Sequence, residues 1–277
     1  MQPVVSASWL REHLHDPKLV LLFVMGLKKQ EQDLAINNVQ IPGSRWFNLK
    51  TTFQQPAAQL PNTVPDEADF SKHCQQLGIN QDSKIILYDA NGVYSSPRAW
   101  WLFRLMGHEA VAVLNGGLPA WEATGGPLEP FQQQEVSTGN FRASLQQEKI
   151  RYTKDLVDNI QLQAEQVLDA RSAGRFTGSE AEPRAGLESG HIPNSKNLPF
   201  TAVLKDGQFR PATELQQTFK ALNLDDRPLV FSCGSGITAC ISLMAAAQVL
   251  DKPWSVYDGS WTEWASTDGL PINKGNH

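Results

Sequence analysis

The strongest constraint in this chain is that it repeats itself. In the first half, Gln40-Ile-Pro-Gly-Ser-Arg-Trp-Phe-Asn-Leu49 precedes an apolar stretch from Lys84 to Asp89, the loop Ala90-Asn-Gly-Val-Tyr-Ser-Ser-Pro-Arg98, and a helical run from Ala99. A second apolar stretch, Ala110 to Leu114, and Asn115-Gly-Gly-Leu-Pro-Ala-Trp121 then close the copy. In the second half His191-Ile-Pro-Asn-Ser-Lys-Asn-Leu-Pro-Phe200 precedes Leu229-Val-Phe-Ser232, a glycine-rich loop, a helical run, Ser255-Val-Tyr257 and Asp258-Gly-Ser-Trp-Thr-Glu-Trp264. Pro42 answers Pro193, Trp121 answers Trp264, and Asp89 stands where the second copy has Cys233. A chain doubled in this way folds as two copies of one unit.

Each copy alternates short β-rich runs with amphipathic helical runs, which predicts an α/β fold: two domains, each a parallel sheet flanked by helices on both faces. The 277 residues suffice for two domains of ordinary size, and 41% hydrophobic content suffices for their cores. We expect domain boundaries at 1–130 and 151–277, with a linker at 131–150. The segment from Gly125 to about Lys149 is polar, rich in turn formers and without clear periodicity. It reads as a tether or as an ordered strap.

Several classes of function are disfavoured. A net charge of −5 with scattered Lys and Arg gives no footprint for nucleic acid. The longest apolar runs, such as Val20 to Met25, are too short to cross a bilayer. The N-terminal residues carry no charged segment followed by an apolar one, so a cytoplasmic protein is expected. Cys74, Cys233 and Cys240 are odd in number and lack the spacing of a metal knuckle, which argues against disulfides and structural zinc. No metal and no organic cofactor is expected.

Chemistry concentrates at Cys233. It ends an apolar strand and opens Gly234-Ser-Gly-Ile-Thr238, and a helix follows at once. Backbone N–H groups and the positive end of a helix favour an anionic sulfur in such a place. A nucleophilic thiol follows, although a buried core cysteine would show the same residue type. In parallel α/β units ligands bind beyond the carboxyl ends of the strands, which puts the site in the second copy. Gly234, Gly236, Ile237 and Thr238 are candidates to meet a ligand through their backbone, with Thr238 also able to cap the helix by its side chain. Ser235 could move a proton or close a turn. The loop itself holds no cation. Arg175 and Arg184, from one polar loop-like segment, could clamp a carboxylate or pair with local acids such as Glu180 and Glu182. His191 and the pair Asp169 and Arg171 read as structural, and Cys240 as core-facing. A cysteine phosphatase would need an arginine at the position of Ala239, so that chemistry fails.

The paired Ile-Pro elements, Asp169-Ala-Arg171, Cys233-Gly-Ser-Gly-Ile-Thr238 and the closing Tyr257-Asp-Gly-Ser-Trp-Thr-Glu-Trp264 together resemble the tandem-rhodanese sulfurtransferases over essentially the whole chain. The neutral loop is similar to the mercaptopyruvate branch of that family; thiosulfate-using members carry basic residues in the two positions after the cysteine. The resemblance implies an inactive first rhodanese domain and a catalytic second one. Sulfur would pass from 3-mercaptopyruvate through a Cys233 persulfide to an acceptor, releasing pyruvate. The acceptor would be a small thiol, a thioredoxin-like protein or cyanide. It also implies substrate-binding roles for Arg175 and Arg184. A thiosulfate:cyanide sulfurtransferase and a non-catalytic rhodanese-like binding protein are the alternatives. The first copy departs from the family: Val24-Met-Gly26 replaces the Asp-Ala-Arg strand end, Gln40 replaces the histidine, and Asn62 stands about where mercaptopyruvate enzymes often place a histidine.

Overall fold

The computed structural model describes residues 1–26 and 38–275 of the chain. It contains two five-stranded sheets with the same topology. The first runs, in spatial order, Val4–Val5, Val111–Leu114, Lys84–Tyr88, Leu19–Met25 and Arg45–Asn48; the second runs Ile150–Arg151, Trp254–Tyr257, Leu229–Ser232, Gln166–Asp169 and Lys196–Asn197. Every pairing within these two sheets is parallel. The strands show why. Leu19–Met25 and Val111–Leu114 are apolar almost throughout and buried, as strands covered on both faces must be.

The repeat extends to single hydrogen bonds. Trp121 and Trp264 are both fully buried, and each indole N–H donates to a backbone carbonyl a few residues on, of Pro127 and Pro271 respectively, at 2.9 Å. The hydroxyls of Ser44 and Ser195 donate to the carbonyls of Ile41 and Ile192, each at 2.6 Å. The Leu118 N–H donates to the Asp89 carbonyl as the Trp261 N–H does to that of Cys233, both at 2.9 Å. The second core gathers Leu156, Val167, Ile192, Val230, Tyr257, Trp261 and Trp264. Truncating an aromatic at its centre costs about 3 to 5 kcal/mol.

By packing, the chain divides into two compact units. One comprises residues 1–57, 64–146 and 206–209, the other residues 58–63, 147–205 and 210–277. The expected linker, 131–150, contains a 3-10 turn at Gln147–Lys149, and a short strand, Glu129–Pro130, lies just before it. Residues up to 146 form an ordered strap on the first unit: Phe141 is fully buried, and the N–H groups of Gly139, Phe141 and Gln146 donate to the carbonyls of Gln75, Ile79 and Leu105. Among the described residues no helix is long and apolar enough to cross a membrane.

Candidate active site

The order of the second sheet fixes where a ligand can enter. From Gln166–Asp169 the chain crosses to Lys196–Asn197 on one side, and from the neighbouring Leu229–Ser232 it crosses to Trp254–Tyr257 on the other. The two connections diverge at the carboxyl ends of adjacent strands, and such a point leaves a crevice. Cys233 emerges from one of these strand ends. The segment bearing Arg171, Arg175, Glu182 and Arg184 emerges from the other.

Cys233 is 1% exposed. Its Sγ accepts the Gly236 N–H at 3.1 Å, a bond that Gly236 can make because its φ of +81° turns the backbone through the left-handed region. The N–H groups of Gly234, Ser235, Ile237 and Thr238 donate to no acceptor among the described residues, so they remain available to a ligand. The Trp261 N–H and the Thr262 N–H hold the carbonyls of Cys233 and Gly234 from behind. The helix that follows, Ala239–Val249, is apolar all round and buried along most of its length, so it is a core element whose N-terminus is fixed at the loop. The Cys240 thiol is buried in it and donates to the Gly236 carbonyl. One expectation fails. Thr238 makes no side-chain cap, because its φ of −72° and ψ of −18° are already helical, whereas a capping side chain needs an extended residue to fold back from.

Two arginines approach the loop at Gly234. A Cβ at that position would lie 2.9 Å from Arg175 Nη2, so a side chain there would displace the guanidinium. Arg184, exposed, donates through Nη1 to the Thr262 hydroxyl at 2.9 Å, and that hydroxyl donates to the Gly234 carbonyl. The local acids sort unequally between them. Glu182 accepts Nε and Nη2 of Arg175 at 3.0 and 2.6 Å, while Arg184 has no carboxylate partner among the described residues. Behind Arg175, Arg171 is fully buried. It donates to both oxygens of Asp169, to Glu182 and to the Gly190 carbonyl, and lies 4.1 Å over the Trp261 ring. Burial opposes the charge on Arg171, but Asp169 and then Glu182 more than offset it and hold its ionisation above the ordinary guanidinium value. Asp169 and Arg171 are thus the structural pair the sequence suggests. His191 is structural as well: fully buried, stacked at 3.9 Å on Phe176 and bonded through Nδ1 to the Phe176 carbonyl.

Three participants escape the sequence reading. Glu182 enters it only as a surface acid, and Thr262 only as part of a closing motif. Asn62, noted for its departure from a family pattern, donates through its side-chain amide to the Ser235 carbonyl at 2.8 Å. Nothing local could have linked residues 173 positions apart. The Ser235 hydroxyl itself has no partner among the described residues. No cluster of His, Cys, Asp or Glu able to hold a metal occurs among the described residues.

The first unit shows what becomes of the same strand end without a thiol. Asp89 is fully buried and accepts the N–H groups of Tyr94, Ser95 and Ser96 and the Ser96 hydroxyl. Burial raises its ionisation above the usual carboxylate range, against these bonds. The side chain fills the cradle that the second unit presents to Sγ. Gln40, in place of the histidine, bonds to Glu129 and to the Gln132 carbonyl, and so holds the strap.

Comparison with known proteins accords with this geometry. A family model, the rhodanese-like domain, matches twice, at residues 6–124 and 152–267. The chain is 36% identical to a protein of Arabidopsis thaliana named thiosulfate/3-mercaptopyruvate sulfurtransferase 1, mitochondrial, over 99% of this chain and 78% of the relative. It is 35% identical to the 3-mercaptopyruvate sulfurtransferase of Escherichia coli strain K12, over 97% of this chain and 96% of the relative. Among solved structures it is similar to SseA from Escherichia coli, a 3-mercaptopyruvate sulfotransferase. The TM-score is 0.83 and the identity 33%, covering 94% of this chain and 99% of that one.

Proposed function

The chain belongs to the rhodanese family and is a tandem-rhodanese sulfurtransferase, and from that premise we propose that it takes sulfur from 3-mercaptopyruvate onto Cys233, releases pyruvate, and passes the sulfur to a thiol or to cyanide. The observation that carries this reading is a sulfur that accepts a backbone N–H in a loop without cations, with two guanidiniums reaching the same edge of that loop. A carboxylate beside a keto oxygen suits such a pair of donors.

In the first half-reaction the Cys233 thiolate attacks the donor's sulfur. The carbon–sulfur bond breaks, its electron pair leaves as the enolate of pyruvate, and the enolate takes a proton to become pyruvate. Ser235, its hydroxyl uncommitted, is the proposed proton carrier. Arg175 and Arg184 hold the carboxylate and keto oxygen, and the N–H groups of Gly234, Ser235, Ile237 and Thr238 receive negative charge as it develops. In the second half-reaction an acceptor thiol attacks the outer sulfur of the persulfide, leaving Cys233 as the thiol and the acceptor as a persulfide. A small thiol or a thioredoxin-like protein fits this step, and suits the cytoplasm, where thiols stay reduced.

The catalytic domain in this reading is 151–277. The first domain, 1–130, is inactive, because its equivalent position holds Asp89 with its oxygens already committed. Thiosulfate is the competing donor, favoured by the name of the plant relative. Turnover of 3-mercaptopyruvate and thiosulfate, measured side by side with one acceptor, decides between them. We expect a clear preference for 3-mercaptopyruvate and background activity only in Cys233→Ser. A preference for thiosulfate overturns the donor assignment, and transfer retained by Cys233→Ser overturns the nucleophile.

A further inference from the structure

The side chain of Glu182 is 2% exposed, and its carboxylate lies between two guanidiniums. Oε1 accepts Arg171 Nη1 at 2.8 Å and Arg175 Nε at 3.0 Å, while Oε2 accepts Arg175 Nη2 at 2.6 Å. Arg171 cannot yield, since Asp169, the Gly190 carbonyl and the Trp261 ring fix it. Glu182 therefore transmits a rigid, buried position to Arg175, whose side chain is 22% exposed and reaches Gly234 beside the reactive loop. The bonds use Nε and one N–H of Nη2. Nη1 and the second N–H of Nη2 have no acceptor among the described residues and are the parts of Arg175 left for a ligand.

The same contact sets the charge a ligand meets. Arg171 and Arg175 are balanced by Asp169 and Glu182, so Arg184 supplies the uncompensated charge of this array. A donor with one carboxylate and a protonated thiol matches a net charge of one. A dianion such as thiosulfate is left with a surplus charge facing Glu182 across Arg175.

We propose that Glu182 is a specificity-determining positioning residue: it holds Arg175 against Gly234 with its charge already balanced, admitting a singly charged sulfur donor and discriminating against a doubly charged one. The proposal rests on the donor assignment made above. It asks Glu182 for a charge effect that mere structural support would not produce, namely a change in the ratio between two donors.

The test compares wild type, Glu182→Gln, Arg175→Gln and the double variant, each with 3-mercaptopyruvate and with thiosulfate. Removing one unit charge a few ångströms from the ligand, at an effective dielectric of about 20 to 40, should raise the thiosulfate to 3-mercaptopyruvate ratio of kcat/KM about tenfold. The change should lie mainly in KM. In the Arg175→Gln background Glu182 keeps its charge and loses this partner, so adding Glu182→Gln should raise the ratio at least as much. An unchanged ratio in folded Glu182→Gln, or a ratio that Glu182→Gln moves only when Arg175 is present, overturns the proposal while leaving the donor assignment intact. A wild type that prefers thiosulfate overturns both. Should Glu182→Gln fail to fold, inhibition of the wild type by pyruvate and by sulfate tests the charge preference on which the proposal rests. Pyruvate should bind tighter despite its smaller charge, and tighter binding of sulfate overturns the proposal.

Discussion

Single residues here owe their roles to what surrounds them rather than to their type. Arg171, Arg175 and Arg184 lie within a short stretch of chain, yet one is sealed in the core, one is tethered by Glu182, and one is exposed against a threonine hydroxyl. The histidines divide in the same way. His108 is 2% exposed and bonds through Nε2 to the Ser83 carbonyl. Burial presses its ionisation below the ordinary imidazole value, against backbone bonds to Ser83 and Ala110 and the charge of Glu109. The folded state therefore keeps the ring neutral. Its contribution to stability is complete above the unfolded imidazole value of about 6.5, and is lost as pH falls from there through the folded value. Urea unfolding between about pH 5 and 8 should show a shallower acid limb for His108→Gln than for wild type. Parallel curves would show that His108 does not carry the effect.

At the scale of elements, each copy depends on a tight turn where Val111–Leu114 or Trp254–Tyr257 enters its short helix, Gly117–Ala123 or Ser260–Ser266. In the first unit that turn is Gly116-Gly117, and Gly117 has φ +56°, with a Cβ added there running into the backbone carbonyl of Asp89. An added Cβ meets both a disfavoured backbone region and a carbonyl that cannot move without releasing Leu118. Gly117→Ala should therefore cost about 2 kcal/mol or more by denaturant unfolding. The helix after the catalytic loop behaves oppositely. Since Thr238 does not cap it, Thr238→Ala should stay within about 0.5 kcal/mol of wild type, well short of the loss of about 1 kcal/mol typical of a true cap. That helix is stabilised by burial of Ile241, Leu243 and Met244 instead.

For the whole molecule, the two compact units do not coincide with the two halves of the chain. Residues 58–63, from the first half, complete the second unit, where Asn62 bonds the carbonyl of Ser235. Residues 206–209, from the second half, complete the first, where the Gly207 carbonyl accepts the Val93 N–H and Asn115 Oδ1 accepts the Phe209 N–H. A chain of residues 147–277 alone would keep its sheet and Cys233 but lose Asn62 from the reactive loop. We expect it to transfer sulfur at least about tenfold more slowly than the full chain at matched folded content, the scale on which misplaced catalytic groups act. Equal turnover would show that the loop holds its geometry unaided.

By itself the sequence determined the doubling, the parallel α/β plan and the position of Cys233 at a strand end, because these follow from hydrophobic period and turn chemistry over short windows. Strand ends such as Tyr88 and Ser232 fell within a residue of their expected places for the same reason. The tertiary structure alone decided that Glu182 serves Arg175 and Arg171 rather than Arg184, that Asn62 lies on the Ser235 carbonyl, and that Asp89 is consumed by its own loop. Each of these is a choice among several chemically equivalent partners. Proximity after folding settles such choices, and residues as far apart as 62 and 235 carry no local signal of meeting.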